Sequence, residues 1–116
     1  MKSSFTKGEI VFVQLGKPPE EIKGHEQGFE RPCVIIKAFN NLQLGIIVPL
    51  TTKPKNYLFT MVRLPQGKGS LREESFALCH QIRTISFDRI QTRIGKLESH
   101  DILKLDWFCG ICWSCE

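Results

Sequence analysis

The chain has 116 residues, enough for one domain with a single core and too few for a separate cofactor-binding domain. Hydrophobic residues make up 41% and charged residues 24%, the proportions of a folded globular domain, which excludes disorder as the main state and any fibrous repeat. The net charge of +4 is unevenly placed. Residues 1–31 carry five basic and five acidic side chains, and residues 76–116 also balance at five and five, but Pro32 to Arg72 holds six basic residues (Lys37, Lys53, Lys55, Arg63, Lys68, Arg72) and no acidic one. A one-signed stretch of this kind suits a phosphate-bearing partner, and equally suits a solvated strand edge kept from aggregating by lysines. Apolar runs reach only four residues, as in Cys33 to Ile36, so no segment reads as a membrane-spanning helix. Met1 to Lys7 lacks the apolar segment of a signal peptide, and a soluble cytoplasmic protein without membrane contact is the expectation.

In chain order, Gly8 to Leu15 reads as a first strand, rich in β-branched residues and apolar on both faces. Gly16 to Glu30, with Pro18-Pro19 and several charges, is too polar and broken for a helix and reads as a long loop, of a length that is functional or disordered in a compact domain. Pro32 to Ala38 is a buried strand, Asn40-Asn41 a turn, Leu44 to Leu50 a third strand and Tyr57 to Leu64 a fourth. A turn over Pro65 to Ser70 follows, then one or two strands within Ser75 to Ser86, and a short strand at Ile94 to Leu97. The last element is a helix over about 99–112, with Ser99 as N-cap and Asp101 in the first turn, where the helix dipole favours a carboxylate. Ile102, Leu105, Cys109 and Cys112 recur at helical spacing, and Leu103 and Trp107 broaden that face. The sum is a mainly β protein with a C-terminal helix: a small antiparallel β-barrel over about residues 8–98, in one domain covering 1–116.

Five cysteines with no signal peptide do not read as a disulfide framework. Cys33 and Cys79 lie in apolar runs and read as small buried hydrophobes. The tail over 109–116, Cys109-Gly-Ile-Cys112-Trp-Ser-Cys115, has three of the thiolates of a zinc or iron–sulfur site but lacks a fourth ligand, and reads more simply as an apolar stripe on a helix. No metal site and no cofactor are expected, since the carboxylates do not cluster and no phosphate-binding glycine loop is present. The polar residues left at strand ends are His25, Glu26, Gln27, Arg31, Thr51, Thr52, His80 and Gln81. An arginine that neutralises a phosphate, a threonine that donates to it and a histidine that moves a proton are the parts of metal-free phosphodiester cleavage. Each has a structural alternative: Thr51 caps a turn, Arg31 pairs with Glu30, His80 is a core histidine.

Gly8-Glu9-Ile10, Gly24-His25-Glu26-Gln27 followed by Arg31-Pro32, Val48-Pro49-Leu50-Thr51-Thr52 and His80-Gln81-Ile82-Arg83-Thr84-Ile85 together resemble the MazF/PemK/Kid toxin family, in order from about Gly8 to Leu105. The resemblance implies an SH3-like, CcdB-like antiparallel barrel and a homodimeric toxin of a toxin–antitoxin module, neutralised by a cognate antitoxin. It also implies a sequence-specific, metal-independent endoribonuclease acting on single-stranded RNA or mRNA. In that reading Arg31 contacts the scissile phosphate, Thr51 helps to hold it and His25 is a candidate proton carrier. Glu26 and Gln27 shape the RNA groove, Phe29 or Tyr57 offers a stacking surface, and Thr52, Lys53, Lys55, His80 and Gln81 complete the RNA-binding set. The substrate's own 2′-hydroxyl would attack, leaving a 2′,3′-cyclic phosphate and a 5′-hydroxyl.

Three features depart from the family pattern. Leu78 and His80 stand where the Kid branch has an arginine and an aspartate, the Gly16 to Lys23 loop is about four residues longer, and the cysteine tail has no counterpart. Two other functions are therefore kept open. One is a CcdB-like gyrase poison acting by protein contact through Trp107, Phe108 and Trp113; the other is a cleavage-dead RNA-binding relative.

Overall fold

The computed structural model describes residues 3–15, 30–53 and 61–110. Seven strands and one α-helix follow in order: β1 (Glu9–Gln14), β2 (Glu30–Phe39), β3 (Leu44–Thr51), β4 (Met61–Leu64), β5 (Ser75–Leu78), β6 (Arg83–Ser86), β7 (Ile90–Lys96) and α1 (Ser99–Cys109). The ladder order is β4-β5-β3-β2-β1-β7, with β6 also on β3, and every pairing is antiparallel. The mainly antiparallel sheet with one C-terminal helix is the architecture the sequence implies.

The first three strands are apolar on both faces because both faces are covered. Ile10, Val34, Ile36, Val48 and Leu50 point into one core with Val62, Leu64, Ala77, Leu97 and Leu105. Their neighbours Val11, Val13, Cys33, Ile35 and Ile47 point into a second core with Phe5, Leu15, Ile85 and Phe87. The N-terminal segment closes that second core. Phe5 meets the Phe87 ring edge-on at 4.7 Å, and the Arg93 guanidinium lies 4.3 Å over Phe5 while donating to Ser4 O and Glu9 Oε2.

Several elements differ from their sequence-based reading. The Asn40-Asn41 turn is a 3-10 turn over Asn40–Leu42, closed by Gln43 in the left-handed region at φ 56°. β7 begins at Ile90 rather than Ile94, because Ile90, Thr92 and Arg93 pair with β1 through their backbone although Thr92 and Arg93 are exposed. The Ser75–Ser86 segment, for which one or two strands are expected, is two strands that both pair with β3, separated by a 3-10 turn over Cys79–Gln81. The long 16–30 loop lies outside the described residues up to residue 29, as do residues 54–60.

α1 ends at Cys109 because Gly110 takes the left-handed conformation (φ 71°), its N–H bonding back to Asp106 O and Trp107 O. The N-cap position falls on Glu98, without a side-chain cap bond, so Ser99 is the first helical residue and not the cap. The face turned to the protein carries Asp101, Leu105 and Asp106, flanked by Ile102 and Cys109. Leu103 and Trp107, which the spacing assigns to that face, are 67% and 69% exposed. Charge explains the shift. Asp106 accepts from Lys7 Nζ at 2.5 Å, and Asp101 Oδ2 lies 3.4 Å from Lys68 Nζ, so two carboxylates are drawn inward to cations on neighbouring segments.

Candidate phosphate-binding site

Arg31 stands on β2 opposite Val13 of β1, and the same face of β2 carries Cys33 and Ile35, which oppose Pro49 and Ile47 of β3. Two residues beyond Pro49 on β3 is Thr51, so the β2–β3 register continued by one step on this face sets Thr51 across from Arg31. Ile47 also opposes Arg83 of β6, which puts the Arg83 side chain on the face shared by Arg31, Cys33 and Thr51. The hydrophobic part of that face is the second core, and its open end is polar.

The electrostatics of Cys33 agree with this placement. Burial pushes its thiol up to about 12, and the opposing pull comes from the guanidinium charges of Arg31 and Arg83. The Cys33 thiol donates to Arg31 O at 3.5 Å, so it is spent on the backbone of the residue beside it. The Arg31 guanidinium is itself half-buried, which lowers its pKa by desolvation, with the Cys33 charge acting the other way. An arginine retains its proton throughout the accessible pH range. A cation stripped of part of its water attracts an anion more strongly than one on an open surface.

Thr51 is half-buried at the end of β3, and its Oγ1 accepts the Lys53 N–H at 3.1 Å, turning the chain so that Thr52 and Lys53 are exposed. Thr51 thus does cap a turn, and it stays on the face that carries Arg31. His80 and Gln81 sit in the Cys79–Gln81 turn, a three-residue excursion of the strand that otherwise runs along β3 opposite Leu50–Thr51 and Leu44–Ile47. The excursion falls opposite Val48 and Pro49 and turns both side chains to solvent, so His80 is not a core histidine. The Gln81 amide nitrogen lies 3.3 Å from His80 Nε2; with the amide donating, Nε2 is the acceptor and Nδ1 carries the proton of the neutral ring. Glu30, the acid next to Arg31, accepts from Gln91 Nε2 at 3.3 Å.

One stretch of β3, from Thr51 to Ile47, therefore gathers Arg31, Thr51, the His80–Gln81 turn and Arg83. His25, Glu26, Gln27, Phe29, Lys55 and Tyr57 lie outside the described residues, as do Cys112, Trp113 and Cys115. Arg83 is the residue that sequence reasoning leaves without a role, although it stands in the quoted His80-Gln81-Ile82-Arg83 run. The available signal was strand alternation: Ile85 is a core residue, so Arg83, two positions earlier, shares its face.

The one-signed basic stretch is less bare than the sequence implies. Arg63 pairs with Glu74 across the β4–β5 hairpin, and Lys68 pairs with Glu98 and Asp101 at the start of α1. Lys37 lies 5.6 Å from the Phe39 ring centroid. Among the described residues, Glu98, His100 and Asp101 form a group with metal-ligand chemistry, their ligand atoms within 4.8 Å of one another. Lys68 already supplies a cation there, and the group pins α1 to the 68–70 turn on a different part of the fold from Arg31.

Among curated proteins none matches the sequence. The fold is shared with solved toxins. The Mycobacterium tuberculosis toxin MazF-mt6 superposes with a TM-score of 0.68 at 21% identity, covering 91% of this chain and 96% of that one. MazF from Deinococcus radiodurans gives 0.72 at 21% identity, over 97% and 98%. An endoribonuclease from Mycobacterial species, solved in complex with its cognate antitoxin, gives 0.71 at 14% identity, over 97% and 98%. Residues 6–107 match the family described as PemK-like, MazF-like toxin of type II toxin–antitoxin system, a span that takes in all seven strands, the Arg31 face and most of α1. The chain belongs to the PemK-like, MazF-like toxin family of type II toxin–antitoxin systems.

Proposed function

We propose that the chain is an endoribonuclease that cuts single-stranded RNA without a metal, and that Arg31, Thr51 and Arg83 hold the scissile phosphate. The observation that carries this reading is the register setting Thr51 across from a half-buried Arg31, with Arg83 on the same face. A phosphodiester attacked by its neighbouring 2′-hydroxyl gains negative charge on its non-bridging oxygens. Arg31 meets that charge from a partly desolvated position, and the Thr51 hydroxyl donates to the same group. The attack needs the 2′-oxygen, phosphorus and leaving 5′-oxygen in line, which a flexible single strand reaches and an A-form helix does not. The products are a 2′,3′-cyclic phosphate and a 5′-hydroxyl.

Proton transfer falls to histidine in this reading, with His25 as the carrier in the preceding loop and His80 as the second candidate. Thr52 and Lys53, exposed just past Thr51, track the backbone of the flanking nucleotides. Gln81 reads a base edge or orients His80 through the 3.3 Å contact. A homodimer and an acidic, partly disordered antitoxin that covers the basic groove complete the proposal, the latter supported by a structural neighbour solved with its cognate antitoxin.

Incubation of purified protein with RNA in excess EDTA tests the reading, with end analysis of the products and Arg31→Ala as control. Cyclic phosphate ends at defined sites, falling by about 100-fold or more in the variant, are expected. Undiminished cleavage by Arg31→Ala would overturn the assignment. A protein-contact poison is favoured instead by exposed Leu103, Trp107 and Phe108 on α1, and intact RNA in this assay would move the weight there.

A further inference from the structure

Two of the cysteines, far apart in sequence, meet in the fold. Cys79 opens the turn that carries His80 and Gln81 and belongs to the first core. Cys109 is the last residue of α1 and packs against the same core, where the helix lies on that turn. Both thiols are free. Their side chains interact, which draws Cys79 down and pushes Cys109 up. Cys33 has no share in this: it lies in the second core and donates to Arg31 O. Cys109 is half-buried and so gives the pair an opening to solvent.

We propose that Cys79 and Cys109 form an oxidisable dithiol, a modification site at which hydrogen peroxide closes a disulfide between the end of α1 and the His80–Gln81 turn. The deprotonated sulfur attacks one peroxide oxygen, the O–O bond breaks, and the departing hydroxide takes a proton and leaves as water. The resulting sulfenic sulfur is attacked by the second thiol. Its S–O bond breaks, and the hydroxide leaves as a second water with that thiol's proton. Two thiols lose two electrons and two protons, and one peroxide is reduced to two waters. Disulfide geometry is narrow, and it asks for two thiols held close together, as these are where α1 packs on the Cys79–Gln81 turn. The bond would tie a helix end, held at present by packing and a Gly110 cap, to a turn that projects two candidate site residues. In a reducing compartment such a bond is reversible and senses oxidant.

The site stands whether or not the chain cleaves RNA, and its test uses neither RNA nor activity. The full chain is treated with hydrogen peroxide and quenched, its remaining thiols are alkylated under denaturing conditions, and it is digested without reduction for mass spectrometry. The same treatment is given to a Cys112→Ser/Cys115→Ser double variant, which removes the tail thiols as competitors. A linked peptide pair containing Cys79 and Cys109 is expected in both, two hydrogens lighter than the reduced pair. It should be accompanied by a rise in Tm of more than about 5 °C that dithiothreitol reverses. Cys79→Ser should abolish both the link and the rise. Recovery of Cys79 in alkylated form after peroxide, in the wild type or in the double variant, would overturn the proposal. So would an equal, reversible rise in Tm in Cys79→Ser.

Discussion

Arg31 and Arg83 reach the same buried thiol from two strands that are not neighbours in the sheet: both guanidinium charges pull on Cys33, one from β2 and one from β6. β3 lies between them and supplies Thr51 on the same face. Two cations at one end of an apolar face repel each other unless an anion lies between them, and this favours a phosphate there. Cys33 is a poor candidate for that anion, since burial keeps its thiol protonated up to about 12.

Replacing the exposed Arg83 by alanine should therefore weaken RNA binding by about tenfold and leave the fold intact. A lost phosphate contact also lowers the salt dependence, reducing the slope of log Kd against log salt by about 1. Binding titrations at several salt concentrations, with a circular dichroism melt as control, measure both. An unchanged slope would remove Arg83 from the groove.

Cys33 should make the protein lose stability at alkaline pH. Its folded-state pKa is raised to about 12 from an ordinary value of 9.0, so the native state holds the proton where the unfolded state has lost it. The sign is fixed by that order: nothing changes below pH 9, and stability falls as pH rises from 9 toward 12. A slope of about 1.4 kcal/mol per pH unit makes the loss roughly 2 kcal/mol by pH 10.5. Urea unfolding at pH 7, 9 and 10.5 should show this fall in the wild type and a smaller one in Cys33→Ser, in which the thiol no longer titrates. Parallel slopes in the two proteins would show that Cys33 ionises as freely in the native state as in the unfolded one.

Much of this arrangement was legible in the sequence where local chemistry and burial agree. β1, β2 and β3 are apolar at successive positions because each lies between two cores, and their runs of Ile and Val announce as much. The motif residues Arg31 and Thr51 could be named, but their opposition follows from a register that no local signal encodes. The Cys79–Gln81 excursion is hidden for the same reason: Ser75 to Ser86 reads equally as one strand or two, and only the pairing of β5 and β6 with different parts of β3 decides for two. The start of β7 is not legible because edge pairing through the backbone asks little of side chains such as Thr92 and Arg93. Arg63 and Lys68 looked like free positive charge because their acids, Glu74 and Glu98, arrive from later segments.

The helix face makes a sharp comparison between two large residues. Leu105 is fully buried in the first core, whereas Trp107 is 69% exposed, although sequence spacing assigns both to the core. Leu105→Ala should cost about 2–5 kcal/mol through lost burial and the cavity left behind. Trp107→Ala should stay within about 0.5 kcal/mol in the isolated chain, as for a surface site. Chemical denaturation of the two variants under the same conditions measures the difference. A cost above about 2 kcal/mol for Trp107→Ala would mean that its ring is covered in solution, by a second copy or by the chain itself.

Gly95 should be intolerant of any side chain because β7 is packed on backbone. A Cβ built at this position would sit 2.0 Å from Gly69 O and 2.6 Å from Gly69 C, closer than atoms can approach. The obstacle is the 68–70 turn, which Lys68 fastens to α1 through Glu98 and Asp101, so moving it also disturbs the helix start. Gly95→Ala is therefore expected to cost about 2–4 kcal/mol, at the upper end of overpacking effects because no flexible side chain can yield. Gly67→Ala is the control. Its φ of +96° makes alanine unfavourable by about 1–2 kcal/mol, but nothing lies within 4 Å of the added carbon. Thermal melts should therefore place Gly95→Ala below Gly67→Ala and both below the wild type. Equal Tm values for the two would mean that the close approach of β7 to the 68–70 turn is not kept in solution.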